Sequence, residues 1–176
     1  MSAKIEIWHG CYDKPWAGVL TRESTAHPAK FSLALIQRII AEGLKRGWWK
    51  KGDTILDPFG GVACGGIVCG AMGLSWVGCE LEKHFVELGR GNIEKNRGGF
   101  VKGVRVELVQ GDSRRLGEAV RRSASGSMTS PPYIDAMNNS GRAGIDPKKY
   151  TRNARSFETM NMSAGRYGDD PGQIGG

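Results

Sequence analysis

The chain has 176 residues, of which 39% are hydrophobic and 24% charged; this suits one globular domain with a real core and excludes a fibrous or wholly disordered chain. A formal net charge of +7 favours a polyanionic partner, nucleic acid first, although a bland basic surface has the same balance. There is no run of eighteen apolar residues and no charged-then-apolar leader, so no membrane span or secretory signal is read and a cytoplasmic protein is expected.

In chain order, residues 4–9 (KIEIWH) alternate apolar and polar and predict a short strand. Residues 10–30 carry Gly10, Pro15, Gly18 and Pro28 and predict an irregular arm. Phe31, Leu35, Ile36, Ile39, Ile40 and Leu44 then recur at steps of three and four, which predicts an amphipathic helix ending near Gly47 with Ser32 as its N-cap. Thr54-Ile55-Leu56 form a buried strand that stops at Asp57-Pro58, because Pro58 cannot donate to a ladder. A small-residue helix over about 63–72, a strand over 75–81 and a helix over about 83–96 follow. A third strand spans 104–112, a short basic helix about 114–122, and GSMTS (126–130) runs as a fourth strand into Pro131.

Strand–helix alternation of this kind predicts an α/β fold with a doubly wound, mainly parallel sheet. Ligands bind such sheets beyond the carboxyl ends of the strands, where Asp57, Glu80, Asp112 and Ser130 all fall. The four cysteines (Cys11, Cys64, Cys69, Cys79) form no CxxC pair and have no histidine at ligand spacing, so they are read as reduced thiols and no metal site is expected.

In DPFGGVACGG (57–66), Gly60 and Gly61 let the backbone pass close to a ligand. The run is neither GxGxxG nor GxxxxGK[ST], so a phosphate cradle is not indicated. Asp57 suits a ligand with a positive charge such as an amino group, or it caps the following helix. Glu80 in VGCELE suits the hydroxyls of a ribose, with Glu82 as its competitor on the same face. Asp112 in GDSRRL either accepts from an adenine amino group or caps a helix.

The corner TSPPY (129–133) has its own chemistry. An aromatic exocyclic amine is a poor nucleophile until it becomes more tetrahedral, a change that fixed acceptors around it favour. Ser130 offers a hydroxyl and Pro131 a carbonyl, Pro131 and Pro132 fix φ, and Tyr133 offers a face for a flipped-out base. An ordinary Pro-Pro turn is the alternative.

Taken in order, these segments resemble the amino-methylating DNA methyltransferases, the N4-cytosine and N6-adenine group that uses S-adenosylmethionine. HPAKF (27–31) looks like their motif X, DPFGG like motif I, GCELE like motif II, GDSRRL like motif III and TSPPY like motif IV; the likeness covers roughly residues 27–135, in the order of one permuted class. It implies a Rossmann-like methyltransferase fold acting on DNA. Asp57, Pro58, Phe59 and Gly61 would bound the S-adenosylmethionine pocket, with Asp57 toward the methionine amino group, Glu80 on the ribose, Asp112 on the adenine, and Lys30 and Phe31 at the methionine end. Ser130, Pro131, Pro132 and Tyr133 would hold the target base; Ser before Pro-Pro-Tyr implies N4-cytosine, with N6-adenine as the alternative. A role in restriction–modification is implied as well.

There are departures. Val62, Ala63 and Cys64 replace the family's usual Ser-Gly-Thr, Ala63 adding a methyl where the backbone should approach the cofactor, and Ser32 stands where proline is common. No apolar strand is legible after Ile134, so the expected division is an arm (1–26), a cofactor-binding core (27–135) and a glycine-rich mobile segment (136–176), with the strands after motif IV missing. On that expectation the chain binds the cofactor weakly and methylates slowly or not at all, or is a non-catalytic remnant. A homodimer through the open sheet edge is a further expectation.

Overall fold

A computed structural model describes residues 6–130 apart from 14, 27–29 and 122. Pro131, Pro132, Tyr133 and the 136–176 segment therefore lie outside the described residues.

Four parallel strands, β1 (Thr54–Asp57), β2 (Ser75–Glu80), β3 (Val106–Gln110) and β4 (Gly126–Ser127), form one sheet in the order β3-β2-β1-β4. Among the described residues the fold is the Rossmann-like, doubly wound arrangement predicted. The chain steps outward from β1 to β2 to β3 and then returns to the other side of β1, which makes the β1/β4 boundary the switch point of the sheet. Register ties the two together: Ile55 pairs with Gly126 and Leu56 with Ser127, and the Met128 N–H donates to the Leu56 carbonyl at 3.0 Å.

Helices α1 (Leu33–Lys45), α2 (Cys64–Ala71) and α3 (Lys83–Asn96) lie side by side against the sheet. The core runs between them, from Ile36 and Ile40 on α1 through Ile55, Ile67, Val68 and Trp76 to Phe85, Ile93 and Leu108. All of α2 but its last residue is buried, which its run of small and apolar residues permits. Trp76 is the reason for much of that smallness. A Cβ on Gly78 would lie 2.1 Å from its ring, on Gly66 2.6 Å and on Gly60 3.3 Å, so three glycines make room for one indole.

Several expectations need correction. Glu6–His9 form no strand; instead Glu6 pairs with Arg38 and Arg46, and Trp8 lies under the Arg38 guanidinium, so side chains rather than a ladder hold this segment to α1. Ser32 occupies the N-cap position, but its hydroxyl donates to the Cys11 carbonyl and caps nothing. The third strand is confined to Val106–Gln110, and β4 is only two residues long. The basic helix is a 3-10 turn (Ser113–Arg115) followed by one short turn, α4 (Leu116–Ala119).

The arm is irregular, as predicted, apart from a 3-10 turn at Glu23–Ala26, but it is packed down. Leu20 joins the core, Lys95 and Asn96 of α3 donate to the carbonyls of Leu20 and Val19, and the Trp16 indole donates to the Phe31 carbonyl.

Candidate functional site

The carboxyl ends of β2, β1 and β4 lie next to one another along one rim of the sheet. Asp57 ends β1 and is 3% exposed. Its Oδ1 accepts from the Phe59 N–H at 3.1 Å, which closes the Asp-Pro-Phe turn; the cap of α2 is Ala63, so the helix-capping role open to Asp57 falls away. Burial in the apolar floor raises its pKa to about 6, against the pull of the Phe59 N–H and the Thr129 hydroxyl and with help from nearby Glu80. Thr129, two residues past β4, thus acts on Asp57 across the switch point, although its Oγ1 is buried without a formed hydrogen bond. Ser130 follows directly and is partly buried.

Glu80 ends β2 and is 8% exposed. Its carboxylate takes the Gly61 N–H at 2.9 Å and the Glu82 N–H at 3.0 Å, and so stitches the glycine-rich loop to the next strand. Burial raises its pKa, and these backbone donors oppose the rise. Glu82, the competing candidate, stands at the N-cap of α3 and serves Glu80 through its backbone.

The glycine-rich loop is held from below by Asn92, a fully buried residue of α3. Its amide donates to the Val62 carbonyl at 3.0 Å and to Ser24 Oγ at 2.8 Å, while its Oδ1 accepts from the Thr21 N–H at 2.8 Å. At Gly89, one turn earlier, a Cβ would sit 3.1 Å from the Gly61 carbonyl, so α3 packs directly against the loop. Within the loop Ala63 adopts φ +65°, a left-handed conformation that costs a non-glycine residue roughly 1 kcal/mol. Such outliers gather where a backbone must approach a ligand.

Lys30 lies near Cys64, at the start of α2. Its ammonium donates to the Thr25 carbonyl at 2.8 Å, and burial lowers its pKa while nearby Cys64 pulls the other way. Phe31 is half-buried against the core. Pro58 and Phe59 are half-buried, and Gly61 is buried. Cys64, Cys69 and Cys79 are buried free thiols, pushed by burial to about 12, 12 and 11. Among the described residues no cluster of candidate metal ligands occurs, and no helix is long and apolar enough to cross a membrane.

Asp112 behaves differently. It caps the 3-10 turn by accepting from the Arg114 N–H at 2.9 Å and pairs with the Arg114 guanidinium at 2.7 Å, which holds its pKa below the usual range. The structure thus brings together Asp57, Glu80, Phe59, Gly61 and Thr129. It leaves Asp112 on the neighbouring strand end, engaged with its own turn.

Sequence comparison bears on this rim. Residues 6–90 match the profile of the N6/N4 DNA methylase family. Over those residues the chain is similar to that family. Among curated relatives, the type II methyltransferase M2.DpnII of Streptococcus pneumoniae is 32% identical over 92 residues, 51% of this chain and 30% of its own length. M2.LlaDCHI of Lactococcus lactis subsp. cremoris is 30% identical over 84 residues, 46% of this chain and 29% of its own. The matched stretch therefore spans less than a third of these DNA methylase relatives. Among solved structures, TrmN of Thermus thermophilus is 17% identical with a TM-score of 0.48, over 63% of this chain and 32% of that one.

Proposed function

We propose that this chain binds S-adenosylmethionine in the β1/β2 crevice and serves methyl transfer to an exocyclic amino group of a DNA base. The observation that carries the reading is the buried Asp57 carboxylate at the switch point, with Thr129 acting on it from the end of β4 and Ser130 next in the chain. A buried acid calls for a cationic partner, and the ammonium of an amino acid moiety supplies one. Glu80 keeps acceptor capacity beyond the Gly61 and Glu82 N–H groups, which suits ribose hydroxyls. The residues present thus fit the cofactor, whose sulfonium supplies an activated methyl when bound.

The roles of the chain's own residues follow. Asp57 orients the amino acid end and Lys30 stands at the carboxylate end. Phe59 and Pro58 cover the pocket mouth, Gly61 admits the cofactor closely, and Asp112 accepts from the adenine amino group after its Arg114 contact opens. Ser130, with Pro131, Pro132 and Tyr133, holds the target amine so that its lone pair faces the methyl carbon. Ser130 favours N4 of cytosine, whereas the family profile spans both N6 and N4 methylation. The net charge of +7 supports DNA as partner, and the type II relatives support a place in restriction–modification.

The test is a calorimetric titration with S-adenosylmethionine beside transfer of a labelled methyl to mixed-sequence DNA, with the product nucleosides resolved. Saturable binding and label in N4-methylcytosine support the reading; label in N6-methyladenine moves the substrate to adenine. Binding without transfer reduces the chain to a cofactor-binding unit, and no binding overturns the proposal.

A further inference from the structure

Among the described residues, two buried side-chain polar atoms have no formed hydrogen bond: Trp76 Nε1 and Thr129 Oγ1. Trp76 is 1% exposed, so its indole N–H has no route to bulk water. Both orphans are neighbours of Asp57. The point where a Cβ on Gly65 would stand is 3.2 Å from Trp76 Nε1, 3.5 Å from Asp57 Oδ2 and 3.7 Å from the Met128 methyl. The indole N–H and the outer carboxylate oxygen therefore face the same small space, which exists because residue 65 has no side chain. Thr129, two residues past β4, acts on the same Asp57 carboxylate.

The three groups are complementary to one small molecule. The indole only donates, the carboxylate only accepts, and a hydroxyl does either. A water has two donors and two acceptors, and buried waters take two to four such partners. An ammonium would meet the indole N–H with the wrong polarity, so the cofactor's amino group does not belong in this niche. We propose that Trp76 is a positioning residue for the candidate cofactor site: its N–H and the Thr129 hydroxyl hold one water over Gly65, and that water donates to Asp57 and favours its carboxylate form. The inference deepens the reading given above, because the ionised form of Asp57 is the one that takes an ammonium.

The charged and titratable groups facing Asp57 are few. Glu80 and Cys79 come from β2, and Cys64 and Cys69 from α2, with Lys30 beyond Cys64. The thiols stay neutral over the working range, and Glu80, which burial also raises, opposes ionisation of its neighbour. A donor at Gly65 adds to the Thr129 hydroxyl and the Phe59 N–H, which already favour the charge.

The experiment uses the full chain without cofactor and follows the Asp57 carboxyl carbon and the Trp76 indole N–H by NMR from pH 4.5 to 7.5. In the unmodified protein the indole proton shift is expected to titrate with the Asp57 midpoint. Trp76→Phe keeps a ring among the glycines but removes the donor, and its Asp57 midpoint moves up by about one unit, the order expected for one hydrogen bond to a carboxylate. Gly65→Ala places a methyl in the niche, expels the water and moves the midpoint in the same direction. An indole resonance that stays flat through the titration, or midpoints unchanged in both variants, overturns the proposal. If Trp76→Phe does not fold, Gly65→Ala and the indole titration still decide. None of these readouts needs cofactor, so failure to bind S-adenosylmethionine falls on the earlier reading alone.

Discussion

Two stretches of the sheet's carboxyl rim carry the same residue type in opposite physical states. Over β1 and β2, Asp57 and Glu80 are sunk among apolar groups, fastened by backbone N–H groups and raised in pKa. Over β3, Asp112 is partly exposed, clasped by Arg114 and lowered in pKa. The difference lies in what surrounds each strand end. β1 lies inside the sheet with α2 and Trp76 beside it, so its carboxylate loses water; β3 is at one edge, where a flexible arginine supplies the countercharge. A strand-end acid is thus a buried, reluctantly ionised carboxyl in the first place and a satisfied turn in the second.

The most severe way to break this comparison is to disturb the packing beneath the buried rim. Gly78→Ala drives a methyl into Trp76 and is expected to cost about 3 kcal/mol or more, read as a lowered urea midpoint. Gly117→Ala, beside the β3 rim, meets nothing within 4 Å and is expected to leave the midpoint unchanged or slightly raised. Equal losses in the two variants would dissolve the contrast.

On ligand affinity, Asp57→Asn is expected to weaken S-adenosylmethionine binding by roughly a hundredfold, the scale of one charge-assisted contact in a buried site. Asp112→Asn is expected to weaken it by less than about tenfold, since a neutral adenine amine is at stake and Arg114 already competes for the acid. Calorimetry with both variants sharpens the assignment of the two acids.

Titration separates the rims by sign. Below about pH 4 Asp57 is protonated whether folded or not; as pH rises the unfolded chain ionises first, while the folded chain keeps its proton until about 6. Stability from this group therefore falls between those values, by about 2–3 kcal/mol in all, and Asp57→Asn removes the fall. Asp112 acts oppositely: its contribution is present above the ordinary carboxylate pKa and fades as pH drops below it. Because it is well solvated, the change from Asp112→Asn is expected to be the smallest of the set, within the scatter of repeated urea titrations.

Much of the frame was legible in the residues because periodicity follows burial. α3 spans Lys83–Asn96 as the pattern predicted, and β1 and β2 end within a residue of expectation. Asp57 stood out because Pro58, Gly60 and Gly61 mark the turn after its strand, and Glu80 because it closes the second apolar run. Long-range complementarity was not legible. The fit of Trp76 to Gly60, Gly66 and Gly78 joins residues from three elements, and each glycine alone reads as a turn or a loop. Asn92 falls on the inward stripe of α3 with Phe85 and Gly89, a spacing that could have flagged it, yet a helical asparagine reads as solvated unless its partners are known. The N-terminal pattern misled for a related reason: alternation describes Glu6–His9, but arginines on α1 compete for Glu6 and Trp8 and no neighbouring strand does.

Asn92 also sets an order of events for the growing chain. Thr21 and the amide that claims it are 71 residues apart, and Ser24 is 68 away from the same group. Synthesis delivers the arm first and its anchor much later, so the early segment stays undocked until α3 has left the ribosome. Trimming the chain at its beginning would then reach the pocket floor from a distance, since the amide under Val62 would lose the two contacts behind it.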